Sequence, residues 1–476
     1  MNQRNFSATI NLVLLMIPSI LFASTVDIET AQRVAKSQID IAGKGKEVTL
    51  KIITAIGDSM LVYFYAVQLN PAGYIIVTAD DNLPPVIAYS FQDNLDTEGK
   101  FIAIMKNDIA KRLAGIHLLS SETLDKRRLQ WESLGDSTYK TMRLFQQWPP
   151  EGTTTTGGWL ETNWTQNPPF NQMCPIDPVT GSRSYAGCPA TAMAQILNYH
   201  RTTNNTHFDD SDDYYHNYAG RTFWIDDDFY QHGFPAYHKL NEFLDTINAH
   251  FQQNNPLSNQ DKAAITFACG VAATQVYTSE GSGTFGVIQA FDAYERFGCN
   301  TIELLSEGDT SLYTRLADNM QDSLPAHLAI VDEAWSTGHN VVVDGYNTDN
   351  FFHVNFGWGG SNNGWYLLPE QMPYNLTVVE GLIVDILKDE AVSVPVTVNE
   401  THFEIYPNPA TEVITIETDN YPSLLTITEI NGKMIFSEMI SNEKTQLDVS
   451  DFRKGVYILE IKGAVNRITK LVIMQP

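Results

Sequence analysis

Basic side chains are scarce: 30 lysines and arginines stand against 56 aspartates and glutamates, for a formal net charge of −26 over 476 residues. Such a surface repels a phosphate backbone, which excludes nucleic acid as a partner. Cysteine is scarcer still, at four. So few in so long a chain do not make a disulfide framework. If one of Cys174, Cys188, Cys269 and Cys299 is a nucleophile, at most one bridge forms among the other three, and the sequence does not say which. Long apolar runs are missing after the start of the chain. The run from Ile10 to Phe22 follows Arg4, ends in the small residues Ala23 and Ser24, and gives way to polar Asp27 and Glu29. It is shorter than the ~20 residues a spanning helix needs, so residues 1–24 read as a secretory signal and no stable membrane span is expected. No internal repeat has a period in the solenoid range. The acidic group Asp209, Asp210, Asp212 and Asp213, with Asp226 to Asp228 nearby, lacks the glycine and terminal glutamate of an EF-hand loop. It reads as a solvated loop, and no metal is expected there.

What the chain does have is apolar material, 43% of residues with 18% charged, enough for packed domains. Single cores stop growing near ~250–300 residues, so three folded units are expected. From Val26 to Leu118 an amphipathic stretch (Ala31, Val34, Ala35, Ile39) precedes strand-like runs at Leu61 to Leu69 and Tyr74 to Thr78, joined by the turn Asn70-Pro71-Ala72-Gly73. This predicts a small α+β domain. Residues 119–156 are polar and end in Pro149-Pro150 and the threonine run Thr153 to Thr156, the pattern of a helical connector closing in an exposed linker where proteolysis concentrates. Residues 157–388 hold every motif with chemistry. After a linker at 389–402, residues 403–476 are strand-like, and Asn431-Gly432 between two strands is a hairpin signal. A small β-sandwich is expected there.

In the central region, Ala190, Met193, Ala194 and Leu197 recur at helical spacing, and Pro189 suits the first helical turn. Cys188 therefore heads a helix, where the macrodipole favours thiolate over thiol. A buried structural cysteine is the plainer alternative. A base is offered by His339, in Gly338-His339-Asn340 at the start of a strand to Tyr346, followed by a polar turn and a second strand from Phe351 to Phe356. A hairpin centred on that turn sets His339 opposite the stretch from Asn355 to Trp358, and Asn355 is the expected orienting group of a thiol–imidazole–amide set. His353 is a competing histidine; His200 and His207 read as structural. Thiol attack on an amide also needs oxyanion donors, commonly the nucleophile's own N–H and a side-chain amide; Gln166 is the candidate amide.

The runs Trp164-Thr165-Gln166-Asn167-Pro168, Gly187-Cys188-Pro189-Ala190-Thr191 and His353-Val354-Asn355-Phe356-Gly357-Trp358-Gly359-Gly360, with His339 upstream, resemble the streptopain family of papain-fold cysteine proteases. The resemblance implies an α+β fold: a papain-like two-lobed protease domain after a small α+β prodomain and before the β-sandwich. It implies Cys188 as nucleophile, His339 as base, Gln166 as oxyanion donor and Trp358 as a wall of the cleft, with Ser282 and Gly283 in the substrate-cleft segment. No metal or organic cofactor is required. Gly73 to Asp81 with Pro85 to Ser90 is similar to the prodomain that inhibits such enzymes intramolecularly, which implies a zymogen. Tyr406-Pro407-Asn408-Pro409 and Lys454-Gly455-Val456-Tyr457 resemble the sorting domain read by the type IX secretion machinery of Bacteroidota, which places the product outside a Gram-negative cell. The expected activity is endoproteolysis of protein or peptide substrates, with an apolar residue preferred two before the cut. A thiol acyltransferase and a silent surface adhesin are the alternatives. Pro189, Asn340 and Phe356 stand where the family usually has valine, alanine and tryptophan, and the polar stretch from Asp332 to Thr337 is a candidate lid.

Overall fold

The computed structural model describes residues 26–97, 100–135, 145–306, 308–331, 338–368, 378–387, 403–418, 423–429, 434–450, 452–462 and 467–474. The expected signal, part of the connector (136–144), the stretch from Asp332 to Thr337, the 389–402 linker and the Asn431-Gly432 turn lie outside them. The chain forms two compact units, one ending at Asp389 and one beginning at Glu390.

In the first unit, Asp27 caps α1 (Ile28–Ile41) by accepting the Thr30 N–H at 2.7 Å. The helix buries Ala31, Val34, Ala35 and Ile39, the four positions that the sequence pattern selects. An antiparallel meander follows: β1 (Thr49–Gly57), β2 (Val62–Asn70), β3 (Tyr74–Thr78) and β4 (Val86–Ser90). Successive strand side chains point to opposite faces, so β2 sends Tyr65, Val67 and Leu69 toward α1 and Phe64 and Ala66 toward α2 (Lys100–Gly115). Helix α3 (Ser121–Gly135) is fastened to the β3–β4 loop by the Trp131 indole N–H on the Leu83 carbonyl and by Arg127 on the Asn82 carbonyl.

Beyond the short strand β5 (Gln147–Trp148), the chain builds a helical half from α4 (Cys188–His200), the hairpin β6 (Tyr214–Tyr218) and β7 (Arg221–Ile225), α5 (Phe229–His232), α6 (Tyr237–Gln252), α7 (Asn259–Ala272) and α8 (Val287–Arg296). A β half follows with β8 (Glu303–Leu305), α9 (Leu312–Gln321), β9 (Ala326–Val331), β10 (Gly338–Asn347), β11 (Phe351–Asn355), β12 (Gly364–Leu367) and β13 (Val378–Val384). Pairing runs β1-β2-β3-β4-β12-β11-β10-β9-β13-β8, with β5 on β10, so the N-terminal meander and the β half are one sheet.

The join is antiparallel, Tyr89 opposite Trp365 and Ala88 opposite Tyr366. It is close because Gly364 lacks a side chain: a Cβ there would lie 2.6 Å from the Tyr74 hydroxyl and 2.7 Å from the Tyr89 carbonyl. Tyr74 in turn reaches the Tyr366 hydroxyl at 2.5 Å and donates to the Asn362 carbonyl at 2.9 Å. Helix α2 packs Phe101, Ile102, Met105 and Ile109 over the same sheet, and Arg112, paired with Asp108 at 2.9 Å, bonds the Leu367 carbonyl. Where three units are expected from sequence, the first two therefore share cores and a sheet.

The second unit has strands β14 (Phe403–Tyr406), β15 (Val413–Thr418), β16 (Ser423–Glu429), β17 (Met434–Ile440), β18 (Lys444–Asp448), β19 (Gly455–Lys462) and β20 (Arg467–Met474). They form two sheets, β14-β15-β18 and β17-β16-β19-β20. Ile414 and Ile416 of one pack with Leu425, Ile427, Leu459 and Ile461 of the other, a β-sandwich as the alternation predicts.

Asp93, just after β4, is half-buried against the loop that precedes β12: its Oδ1 lies 2.9 Å from where a Gly360 Cβ would sit, and its Oδ2 has no hydrogen-bond partner among the described residues. Burial pushes its carboxyl up to about 6, opposed by His353 and helped by Asp344. The folded state thus holds this proton more tightly than the unfolded chain does. The contribution is fully present below the unfolded value of ~3.9 and is lost as pH rises from there through about 6. Asp93→Asn is expected to remove this loss, so that the melting temperature at pH 7 rises relative to that at pH 5; a gap between the two pH values equal to wild type in thermal melts would refute it.

Candidate active site

The segment entering α4 is held from several sides. Asn171 donates to the Ser184 carbonyl at 2.9 Å, the Tyr185 N–H to the Thr278 carbonyl at 3.1 Å, the Ala186 N–H to the Gln166 carbonyl at 3.0 Å, and Gln275 to the Ala186 carbonyl at 2.9 Å. Gly187 then turns the chain at φ +86°, where a Cβ would stand 2.2 Å from the Gln275 amide oxygen. Glycine is the residue that fits both conditions. Pro189 occupies the first turn as expected, and α4 is buried from Pro189 to Leu197. Cys188 is the exception at its head, partly exposed. The other three thiols are buried and none is in a disulfide. Burial pushes Cys174 and Cys299 up to about 12, and Cys269 well above the ordinary thiol range. Those three are protonated at neutral pH and enclosed, whereas Cys188 has access and a helix N-terminus.

His339 and Asn340 open β10, whose pairing with β9 is regular from Gly338 to Val343. Neighbours on a strand face opposite ways. Val341 and Val343 enter the core beneath α2, and Val342 enters the core around α4. His339 goes with the first set. Its ring, 8% exposed, stacks on Trp358 at 4.5 Å, and its Nε2 meets the Phe356 carbonyl at 2.9 Å. Phe356 also stacks on His339 and is itself met edge-on by Phe101 of α2 at 5.4 Å. Asn340 takes the opposite face: its Nδ2 lies 3.8 Å from the Cys188 sulfur, and its Oδ1 2.7 Å from His327 Nε2.

The β10–β11 hairpin has the expected register, Val342 opposite Asn355, and continuing it brings Trp358 to His339. Asn355, the expected orienter, has its amide elsewhere. It donates to the Thr162 carbonyl at 2.8 Å, accepts the Gly357 N–H at 3.0 Å and exchanges longer contacts with Gln195 at 3.4 Å. Fully buried Gln195 also accepts from the Thr162 hydroxyl and the Trp164 N–H, so the two amides tie α4, the segment at 162–164 and the end of β11 together. The contact to the imidazole comes from the Phe356 backbone, one residue on.

Gln166 is half-buried, fixed by its carbonyl to the stretch before Cys188, and the Trp164 carbonyl accepts the Gly359 N–H at 3.0 Å beside Trp358. These bonds bring the three sequence motifs together. Ser282 accepts the Thr278 N–H and donates to the Thr278 carbonyl, while the Gly283 N–H and C=O both pair with Val276. These groups brace their own loop, which the Tyr185–Thr278 bond links to the segment entering α4. His353 is buried on Asp344 at 2.6 Å, and Asp344 also accepts the Leu160 N–H, a structural pair that anchors the start of the central region. In the acidic loop Asp212 bonds Arg296 and Asp209 caps a short turn. Gln195 and His327 escaped the sequence reading; the one signal was a polar residue inside an apolar helical or strand pattern.

Residues 164–366 match the Peptidase C10 family, residues 23–109 the Spi protease inhibitor family, and residues 404–475 the secretion system C-terminal sorting domain. The central region is thus similar to the cysteine peptidases of the C10 family. Over 380 residues the chain is 26% identical to the thiol protease/hemagglutinin PrtT of Porphyromonas gingivalis, covering 76% of this chain and 40% of that protein. Over 341 residues it is 25% identical to streptopain of Streptococcus pyogenes serotype M1, covering 67% of this chain and 75% of that one. Among solved structures, a prointerpain A fragment of Prevotella intermedia aligns with TM-score 0.47 and 19% identity over 71% of this chain and 98% of the fragment. Along the sequence, the C10-like region thus lies between a segment that matches an inhibitor family and one that matches a secretion sorting domain, which indicates secretion or outer-surface display.

Gln195→Leu keeps the approximate volume but leaves the Trp164 N–H and the Asn355 amide short of a buried partner. It is expected to cost about 1–3 kcal/mol, measured by urea denaturation of purified protein with the unfolding slope held equal to wild type. An unchanged midpoint would show that the two amides are not a structural tie.

Proposed function

We propose that the chain is the latent precursor of a secreted cysteine endopeptidase, with Cys188 as nucleophile, His339 as base and acid, and Gln166 as oxyanion donor. The observation that carries this reading is that Cys188, alone among the four thiols, is accessible and heads a helix. The thiolate attacks the peptide carbonyl carbon. The Cys188 N–H and the Gln166 side chain hold the oxyanion, the imidazolium of His339 passes its proton to the departing amine, and water hydrolyses the acyl-enzyme. Trp358, stacked on His339, forms a wall of the cleft, and the loop of Ser282 and Gly283 borders the substrate. Asn355 supports this site indirectly, through Gln195 and the Phe356–Gly357 backbone.

Latency fits the orientation of His339 toward the face that α2 covers, while Cys188 meets the other face. Residues 26–118 act as the intramolecular inhibitor, the connector at 119–156 takes the activating cut, and the sorting domain is handed to a type IX secretion machinery of a Bacteroidota cell. Protein and peptide chains are the substrates.

The test is expression of the chain without residues 1–24, incubation under reducing conditions, and assay on casein beside Cys188→Ala. Wild type is expected to shorten within 119–156 and digest casein, while the variant stays whole and loses at least ~10³-fold of the activity. Casein digestion by Cys188→Ala would overturn the assignment of the nucleophile. Wild type that remains inert after an added protease has removed residues 26–118 would overturn the peptidase reading in favour of a surface adhesin.

A further inference from the structure

The Cys188 sulfur has a contact that the thiol–imidazole scheme does not use. Asn340 Nδ2 lies 3.8 Å from it, within hydrogen-bonding range for sulfur, and Asn340 Oδ1 lies 2.7 Å from Nε2 of fully buried His327. Nδ1 of the same ring lies 3.1 Å from the hydroxyl of fully buried Tyr294. The orientation of an asparagine amide has to be inferred from its partners, and here it follows from the tautomer of His327. Burial holds His327 down to about 4, against a smaller upward pull from Asn340, so the ring is neutral at any working pH. A neutral imidazole has one N–H and one acceptor nitrogen. If Nδ1 accepts from the Tyr294 hydroxyl, Nε2 must carry the proton and donate to Asn340 Oδ1. The amide is then locked with its NH₂ toward the sulfur.

An N–H aimed at sulfur bonds better to a thiolate than to a thiol, and a hydrogen bond to the charged form favours that form. We propose that Asn340 is a thiolate-stabilising residue of the nucleophile, held in that role by the positioning residues His327 and Tyr294. The inference rests on the reading of Cys188 as nucleophile. It adds that ionisation of this cysteine is supported from the α4 face of β10 in the precursor itself, while His339 faces the other way.

The test is pH-dependent alkylation of the intact precursor by short pulses of iodoacetamide, with Cys188 labelling read by peptide mass spectrometry. A His339→Ala background keeps the chain whole. The parent is expected to label with a midpoint below the ~8.5 of an ordinary thiol. Asn340→Ala should move that midpoint up by about one pH unit, or about tenfold less label at neutral pH. Asn340→Asp, isosteric but unable to donate when ionised, should move it further. His327→Phe should move it by less, in the same direction. Cys174, Cys269 and Cys299 serve as internal sensors of folding, because burial keeps them unlabelled; if Asn340→Ala labels them, Asn340→Asp decides. Midpoints for folded Asn340 variants that coincide with the parent overturn the proposal while leaving Cys188 as nucleophile. Casein digestion by Cys188→Ala is the separate result that would remove the premise.

Discussion

The pleat of β10 is the constraint on which the site depends. This strand separates two cores, one beneath the N-terminal helix α2 and one around α4. Residues 339 and 340 are adjacent, so they cannot share a face while the strand keeps its pairing with β9. His339 is therefore directed toward the N-terminal segment and Asn340 toward Cys188. Their choice of face is settled by a whole strand's worth of buried valines and not by the two side chains themselves. That makes the arrangement stiff, because exchanging the faces would have to drag Val341, Val342 and Val343 out of their cores.

The N-terminal segment reinforces this arrangement from a distance. It does not sit on the protease region as a separate plug; it extends the sheet through β4 and β12 and covers one face with α2. Phe101 on that helix touches Phe356, whose carbonyl meets the His339 ring. Covering an apolar face and fixing an imidazole are thus parts of one packing arrangement.

Much of this was legible in the sequence, for identifiable reasons. Period-3.6 spacing picked out the buried side of α1, period-two runs gave β2 and β3, and Cys188-Pro189 marked a helix start because proline there loses nothing. The hairpin register even brought Trp358 to His339. Other features were not legible. Asn355 looked like an orienting group by proximity in register, but buried amides take the nearest unmet backbone groups, and those belonged to Thr162 and Gly357. The join between β4 and β12 depends on two strands far apart in the chain whose edges fit because Gly364 has no side chain, and no periodicity reports that. Alternation says that His339 and Asn340 point opposite ways; which one meets Cys188 is decided by tertiary packing.

The β4–β12 join has one more consequence. Were residues 26–118 removed, β12 would become the border of the remaining sheet, with the backbone donors and acceptors that face Tyr89 and Ala88 bared to solvent. Such a border invites pairing with any extended chain. At four residues, opening on a glycine, β12 is too short to template much of a foreign strand, so a border of that kind would have little capacity to aggregate.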